Sequence, residues 1–304
     1  MLYCAQDETG KGNEMSNVKS IILSPNAERD IDFEITRQVF DILRKRNRRT
    51  VFCPEFNDVR KDGVKLSGLE PKKMEDELQS AEMIITFGGD GTILNAARIA
   101  AETGVPILGI NLGDKGFMAE LEAEDIGLID SAATGDYKLE DRMMLDVEII
   151  RDGAAICRNF ALNDVVIRGD NKVIDLMLFG DGQRISRFSG DGAVIATPTG
   201  STAYSMAAGG PIVEPAAQNI IFTPICAHIL DAKSFVLASD RRVTVELGYK
   251  KHNPAYISVD GGNQESIQSG DVVSIFKSDR YTRLVRLSNR SFYKKVSEKL
   301  GERF

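Results

Sequence analysis

The run Met83-Ile84-Ile85-Thr86-Phe87 limits most sharply what this chain can fold into. It has no polar face, so a strand made of it must be covered on both sides. Such strands belong to parallel sheets with helices on either face. The run meets Gly88-Gly89-Asp90-Gly91-Thr92, and a helical pattern follows from Ile93 to Glu102. A strand, a glycine turn and a helix N-terminus offer unpaired N–H groups and partial positive charge, which suit a phosphate. Glycines there allow positive φ and close backbone approach. Asp90 is the odd residue, because a carboxylate repels phosphate. It makes sense as a helix cap, as a metal holder, or as acceptor of a proton or hydrogen bond from a hydroxyl. The turn is neither a Walker A loop nor a full GxGxxG fingerprint.

The neighbouring segments extend the pattern. Val18–Leu23, Val51–Cys53 and Pro106–Ile110 read as strands; Asp32–Arg46 and Met74–Leu78 read as helices. Strands alternating with helices predict a parallel, doubly wound α/β sheet over residues 18–137. The texture then changes. Leu145–Arg151, Ala155–Leu162, Val165–Arg168 and Ile174–Phe179 are short alternating runs, split by turns such as Arg151-Asp152-Gly153 and Gly180-Asp181-Gly182. Val243–Leu247, Tyr256–Val259, Val272–Lys277 and Thr282–Leu287 continue the series, which predicts a β-rich domain over 138–289. Ser291–Leu300 reads as a final helix. Residues 1–17 are polar and aperiodic, a flexible lead-in within which Met15 is an alternative start. The basic cluster Arg44–Arg49 closes a helix, where cations complement the dipole.

Composition excludes several classes. The chain has 38 basic and 45 acidic residues, a formal charge of −7, so a nucleic-acid partner is not expected. No stretch approaches the ~18 apolar residues of a membrane span. The start lacks an apolar signal region. Cys4, Cys53, Cys157 and Cys226 are too scattered for a zinc knuckle or a redox pair, and read as packing residues in a reducing compartment. A cytoplasmic protein is expected. His228, in an apolar setting, reads as structural, and His252 as part of a solvated loop at Lys250–Pro254. Glu120–Asp125 reads as a solvated helix start.

A second segment carries chemistry: Asp191-Gly192, then Thr197-Pro198-Thr199-Gly200-Ser201-Thr202-Ala203-Tyr204, then Gly209-Gly210-Pro211. Small residues let backbone reach a ligand, hydroxyls bind ribose, phosphate or amides, and Tyr204 could stack on a flat ring. This run follows Gly-Gly-Asp-Gly-Thr at 88–92, Asn-Leu-Gly at 111–113 and Asn163-Asp164, and precedes Pro224-Ile225-Cys226-Ala227-His228. In this order and spacing the motifs resemble the NAD kinase family over roughly residues 18 to 300. The glycine turn alone is shared with lipid kinases and phosphofructokinases; the 191–211 run is the specific part.

The resemblance implies the diacylglycerol/NAD kinase-like two-domain architecture, with the helix at 290–304 returning to the first domain. It implies transfer of the γ-phosphoryl group of ATP, or a phosphoryl group of polyphosphate, to the 2′-hydroxyl of the adenosine ribose of NAD. It implies Mg²⁺ carried with the donor, and a homodimer or homotetramer with a shared active site. Asp90 matches the aspartate beside the 2′-hydroxyl, and Gly88, Gly89, Gly91 and Thr92 the phosphate turn. Asn163 and Asp164 match an Asn-Glu pair that contacts NAD, with Asp164 shorter than the common glutamate. Asp191 matches an aspartate that meets the nicotinamide end across a subunit contact. Thr202, Ala203, Tyr204, Ser205 and Ala207 match the dinucleotide wall, although Ala207 stands where serine is common. Asp260 and Gly261 match a late element near the ribose, with Gly262 in place of a glutamine that Gln264 could replace. Lys115, beside Asp114, and Ala227 also depart from the pattern. Rival classes are a lipid kinase sharing the glycine turn and a non-catalytic NAD(P) sensor. ATP against polyphosphate, and NAD against NADH, stay open at this level.

Overall fold

The computed structural model describes residues 19–55, 66, 68–113, 116–228, 232–248, 254–288 and 292–301. Residues 1–17, Asp114, Lys115 and His252 lie outside them.

The first half runs β1 Ser20–Pro25, α1 Glu34–Lys45, β2 Thr50–Phe52, α2 Met74–Glu77 and β3 Ala81–Gly88. It continues with α3 Asp90–Ala100, β4 Ile107–Asn111, β5 Leu121–Glu122 and α4 Ile129–Thr134. The strands pair in parallel in the order β2-β1-β3-β4-β5. In β1, Ile22 points into one apolar cluster while Ile21 and Leu23 point into another. All three are 0% exposed, and burying each contributes ~1.5–3 kcal/mol. Both faces are therefore covered, as the unbroken apolar run requires. The helix expected from Asp32 begins at Glu34, because Asp32 and Phe33 take φ of 50° and 56°. This kink seats Phe33 edge-on against Phe52, 5.2 Å between ring centres. Asp30 caps the helix from outside, accepting from Ile35 N at 3.0 Å and Thr36 N at 2.9 Å. Arg46, just past α1, makes a two-pronged pair with Asp130 of α4.

The second half runs β6 Lys138–Arg151, β7 Ala154–Ala161, β8 Asp164–Gly169, β9 Ile174–Gly180 and β10 Gln183–Gly190. Next come β11 Gly192–Ala196, α5 Tyr204–Ala207, β12 Asn219–Ile225 and β13 Phe235–Ala238. The chain ends with β14 Val243–Leu247, β15 Ala255–Val259, β16 Glu265–Ile267, β17 Val272–Arg286 and α6 Phe292–Gly301. Six strands form an antiparallel sheet in the order β13-β12-β11-β8-β15-β16. The remaining strands join the parallel set in one 11-stranded mixed sheet. An apolar cluster including Val165, Ile195, Phe222 and Ile275 fills the space between the two sheets.

One expectation changes here. Val272–Lys277 and Thr282–Leu287 are not two strands but one, with a register shift between Lys277 and Tyr281. Between them lies the polar triplet Ser278-Asp279-Arg280; Ser278 Oγ and Arg280 Nη1 both donate to Asp146, at 2.8 and 3.0 Å, and the strand bulges without breaking. The first part of β17 pairs β14 and β6; the last part meets β4 in parallel at Leu284–Ile107. This strand ties the two halves together. After it, α6 comes back to the first half, where Lys295 Nζ donates to Ala119 O at 2.6 Å. Among the described residues, no helix is long and apolar enough to cross a membrane.

Candidate active site

Asp90 sits where β3 hands over to α3, at the carboxyl ends of the parallel strands. Open α/β sheets bind their ligands there. Gly89 is the N-cap, and no side chain caps the helix. The Asp90 carboxylate instead accepts from Phe117 N at 2.7 Å and Met118 N at 3.1 Å. Each oxygen keeps further lone-pair capacity for a hydroxyl. Capping is thus not its task. Gly88, Gly89 and Gly91 have ordinary φ, so positive φ is not why they are glycine. Thr92 packs over Gly88 and is buried, while the space beside Gly89 and Gly91 is open. The turn therefore presents bare backbone. Leu94, one turn on from Asp90, faces a large cavity.

That cavity holds about 420 Å³. Alternate residues of two paired strands make its floor: Asp164, Val166 and Arg168 from β8, Tyr256 and Ser258 from β15. Asn163, Asp260 and Gly261 close one end, and Ala203 and Tyr204 form a wall. Asp260 and Gly261 take φ of 49° and 69°, with Gly262 N bonded to Val259 O at 2.9 Å: a type I′ turn. This turn aims the Asp260 carboxylate at three successive amides, Leu162 N at 2.7 Å, Asn163 N at 2.7 Å and Asp164 N at 3.0 Å. Asp260 thus builds the Asn163-Asp164 corner.

Burial, and then the neighbouring Asp260, push the Asp164 carboxyl up to about 7. Burial also raises Asp260, against the pull of its three amides and Arg98. Between an unfolded value of 3.8 and about 7, folded Asp164 holds a proton that the unfolded chain has lost. Stability contributed by this group therefore falls as pH rises through that window. Asp164→Asn removes the slope. The variant is expected to gain on the wild type by ~1 kcal/mol per pH unit between pH 5 and 7, from the 1.36 kcal/mol limit per unit. Urea unfolding of the unliganded proteins at several pH values checks this, and parallel profiles would contradict it.

The 197–205 segment is shaped by its own hydroxyls. Thr197 Oγ1 donates to Leu162 O at 2.6 Å, Ser201 Oγ to Pro198 O at 2.7 Å, and Thr202 Oγ1 to Thr199 O at 3.2 Å. Ser205, fully buried, pairs with Thr223 at 2.9 Å. These hydroxyls mould the loop through the bonds they make. Ala207 is exposed and does not line the cavity. At Gly200 a Cβ would collide with the backbone carbonyl of Asn163. Gly200→Ala is expected to cost about 3 kcal/mol in urea unfolding; a change below about 1 kcal/mol would count against this contact.

A second cavity of about 240 Å³ is lined by Phe117, whose N–H donates to Asp90. Its lining includes Glu140, Arg142, Arg286 and Lys295. Arg142 is buried, pairs with Glu140 at 2.6 Å and donates through Nη1 to Thr199 Oγ1 at 3.2 Å. Arg286 bonds Glu140 at 2.6 Å, Glu120 at 3.2 Å and Met118 O at 3.0 Å. Burial lowers the Arg142 guanidinium to about 10, and Arg286 adds to this; Glu140 and Asp90 oppose it. Burial lowers Lys295 to about 8, with Arg286 and Arg142 adding and Glu120 and Asp90 opposing. Burial pushes Glu140 up, but Arg286 and Arg142 outweigh it and hold the carboxyl below its ordinary value.

Other sequence readings change. Glu120 is not solvated: it is buried and accepts from Leu287 N at 3.0 Å and Ser288 N at 2.8 Å. Only Glu122 and Asp125 begin a helical turn, as a capping box. His228 is exposed, not in an apolar setting; its backbone N bonds Ser189 O at 2.8 Å. Cys53 packs inside and burial raises its thiol to about 12, whereas Cys226 is exposed. Asp191 does not line the cavity; its carbonyl accepts from Gly169 N, at the end of β8 away from Asn163. Among the described residues, no three His, Cys, Asp or Glu side chains are grouped to hold a metal ion.

The ATP-NAD kinase N-terminal domain family matches residues 25–136, and the ATP-NAD kinase C-terminal domain family matches residues 162–287. The NAD kinase of Natranaerobius thermophilus is 39% identical over 290 residues, 93% of this chain and 98% of that protein. The chain belongs to the NAD kinase family. The NAD kinase of Acetivibrio thermocellus is 36% identical over 283 residues, covering 92% and 96%. Two solved structures share the fold. Yeast NADH kinase complexed with NADH has a TM-score of 0.78 at 22% identity, covering 94% of this chain and 88% of that one. An NAD kinase from Archaeoglobus fulgidus in complex with ATP gives 0.70 at 23%, covering 93% and 98%.

The NAD kinase motifs in the sequence led to Asn163, Asp164, Ala203, Tyr204, Asp260 and Gly261, all on one cavity. They missed Val166, Arg168, Tyr256 and Ser258, although alternation from Asp164 carried a signal for the first two. They also missed Arg142, Arg286 and Lys295, which come together only in three dimensions.

Proposed function

We propose that this chain is an NAD kinase that phosphorylates the 2′-hydroxyl of the adenosine ribose of NAD, with ATP or polyphosphate as donor. Family membership and the names of its relatives support the reaction. One observation supports the residue roles: neighbours of Asp90 line two cavities. Leu94, a turn along α3, faces the larger cavity, and Phe117, whose N–H holds the Asp90 carboxylate, faces the smaller. A carboxylate there can meet a hydroxyl from one side and a phosphoryl group from the other.

In this reading NAD lies along β8 and β15, with its amino and hydroxyl groups on Asn163 and Asp164 and a ring against Tyr204. Asp90 accepts the hydrogen bond of the ribose 2′-hydroxyl and lines it up on the γ-phosphorus. The 2′-oxygen forms a bond to that phosphorus as the bond from phosphorus to the β,γ-bridging oxygen breaks. The bridging oxygen leaves with the electron pair on ADP, and the hydroxyl proton passes through Asp90 to solvent. A carboxylate is a weak base for an alcohol, so orientation with late proton transfer carries the role. Phosphoryl transfer asks mainly for such positioning and charge neutralisation. The bare turn Gly88–Gly91 is the backbone seat for donor phosphate. We read Mg²⁺ as carried with the donor substrate.

We also read the protein as a cytoplasmic homodimer or homotetramer. Free cysteines support the compartment. The position of Asp191 off the cavity supports a neighbour's share in the site. Phosphorus NMR of the reaction tests the proposal. It is expected to show a new 2′-monoester resonance as ATP becomes ADP. An unchanged spectrum, or a phosphate on the nicotinamide ribose, would contradict it.

A further inference from the structure

The smaller cavity is lined by two cations whose donors are only partly used. Arg142 is only 4% exposed, and its Nε has no hydrogen-bond partner. Lys295 is half-buried. Its ammonium has three N–H donors, and among the described residues one bond is made, to Ala119 O, with no carboxylate within ion-pair reach. A partly desolvated ammonium with no ion-pair partner is unfavourable unless an anion joins it. The nearby acids are already engaged. Glu140 and Glu120 are bonded to the two arginines, and Glu214 faces Tyr293.

A single loop also links this cavity to the larger one. Thr199 touches Arg142, and Ala203 and Tyr204, a few residues later, line the NAD cavity. Asp90 acts electrostatically on both Arg142 and Lys295. An anion seated between those two cations therefore lies next to the carboxylate that faces the acceptor.

We propose that the cavity between Phe117, Arg142 and α6 binds the phosphate chain of the phosphoryl donor, with the Lys295 ammonium and the Arg142 guanidinium as its cationic groups. This rests on the kinase reading and adds to it a donor subsite built partly from the last helix. Arg286, Glu140 and Glu120 are positioning residues that hold Arg142 and the loop after β17. The ligand chemistry is a chain of anhydride-linked phosphates, whether on a nucleoside or in inorganic polyphosphate.

Lys295→Gln tests this, with Lys295→Arg as the conservative partner. Calorimetry with inorganic tripolyphosphate is expected to show binding to the wild type, about tenfold weaker binding to Lys295→Gln, and recovery in Lys295→Arg. In initial-rate assays KM for ATP should rise about tenfold in Lys295→Gln while KM for NAD stays within about twofold. If tripolyphosphate competes with ATP, the site reads phosphates alone; if ATP binds with equal loss in Lys295→Gln and tripolyphosphate does not bind, the site requires a nucleoside donor. Unchanged ATP and tripolyphosphate affinity in Lys295→Gln would overturn the proposal, as would equal losses for ATP and NAD. A wild type that binds tripolyphosphate through Lys295 but forms no NADP would overturn the kinase reading and leave this site standing.

Discussion

Asp90→Asn is expected to lower kcat by about 10²–10⁴-fold, the weight of a positioned proton acceptor. Asparagine keeps the shape of the side chain and one acceptor oxygen. It turns an NH₂ group toward one of the two amides at Phe117 and Met118. The cost to folding is about 1–3 kcal/mol, one unsatisfied buried group, well short of the total stability of a typical domain. NAD affinity should change by less than about threefold, because the binding floor on β8 and β15 is untouched. Steady-state rates and NAD calorimetry on the folded variant separate the two quantities. Turnover within tenfold of the wild type would remove Asp90 from the mechanism. A parallel loss of NAD affinity would make it a binding residue.

The second large effect is expected at Asp260, which never needs to touch the reacting atoms. Asp260→Ala strands three amides, those of Leu162, Asn163 and Asp164. At about 1–3 kcal/mol for each buried group, partly offset by water, the loss is ~3 kcal/mol. The Asn163-Asp164 corner then loses its template. NAD affinity should fall at least about tenfold. Removing Asp260 also removes a like charge beside Asp164, so the Asp164 carboxyl should move back down from about 7. Urea unfolding, NAD calorimetry and carboxyl titration by NMR follow the three effects together. A stable variant with unchanged NAD affinity would show that the corner stands without its aspartate.

The sequence carried the parallel half well because burial on both faces leaves a direct mark: β3 and β4 are unbroken apolar runs. It split β17 in two, where the polar triplet Ser278-Asp279-Arg280 is bound sideways to Asp146. Local composition cannot distinguish a bulge held by a partner 132 residues away from a chain reversal. The same limit applies at the site. Asp90 and Asp260 stood out by motif, yet their grip on backbone amides of distant loops had no local signal. The hydroxyls of 197–205 stood out too, but the sequence did not show that they bond nearby backbone carbonyls and Thr223. Lys295 was invisible as a site residue, because its helix reaches Arg142 only through the return of the chain end to the first half.

The most direct measurement is an end-point assay of the purified protein with NAD, ATP and Mg²⁺, reading product with an NADP-specific dehydrogenase. The account predicts that NADP accumulates in step with ADP. No NADP from folded protein, with NADH also tried as acceptor and polyphosphate as donor, would contradict it.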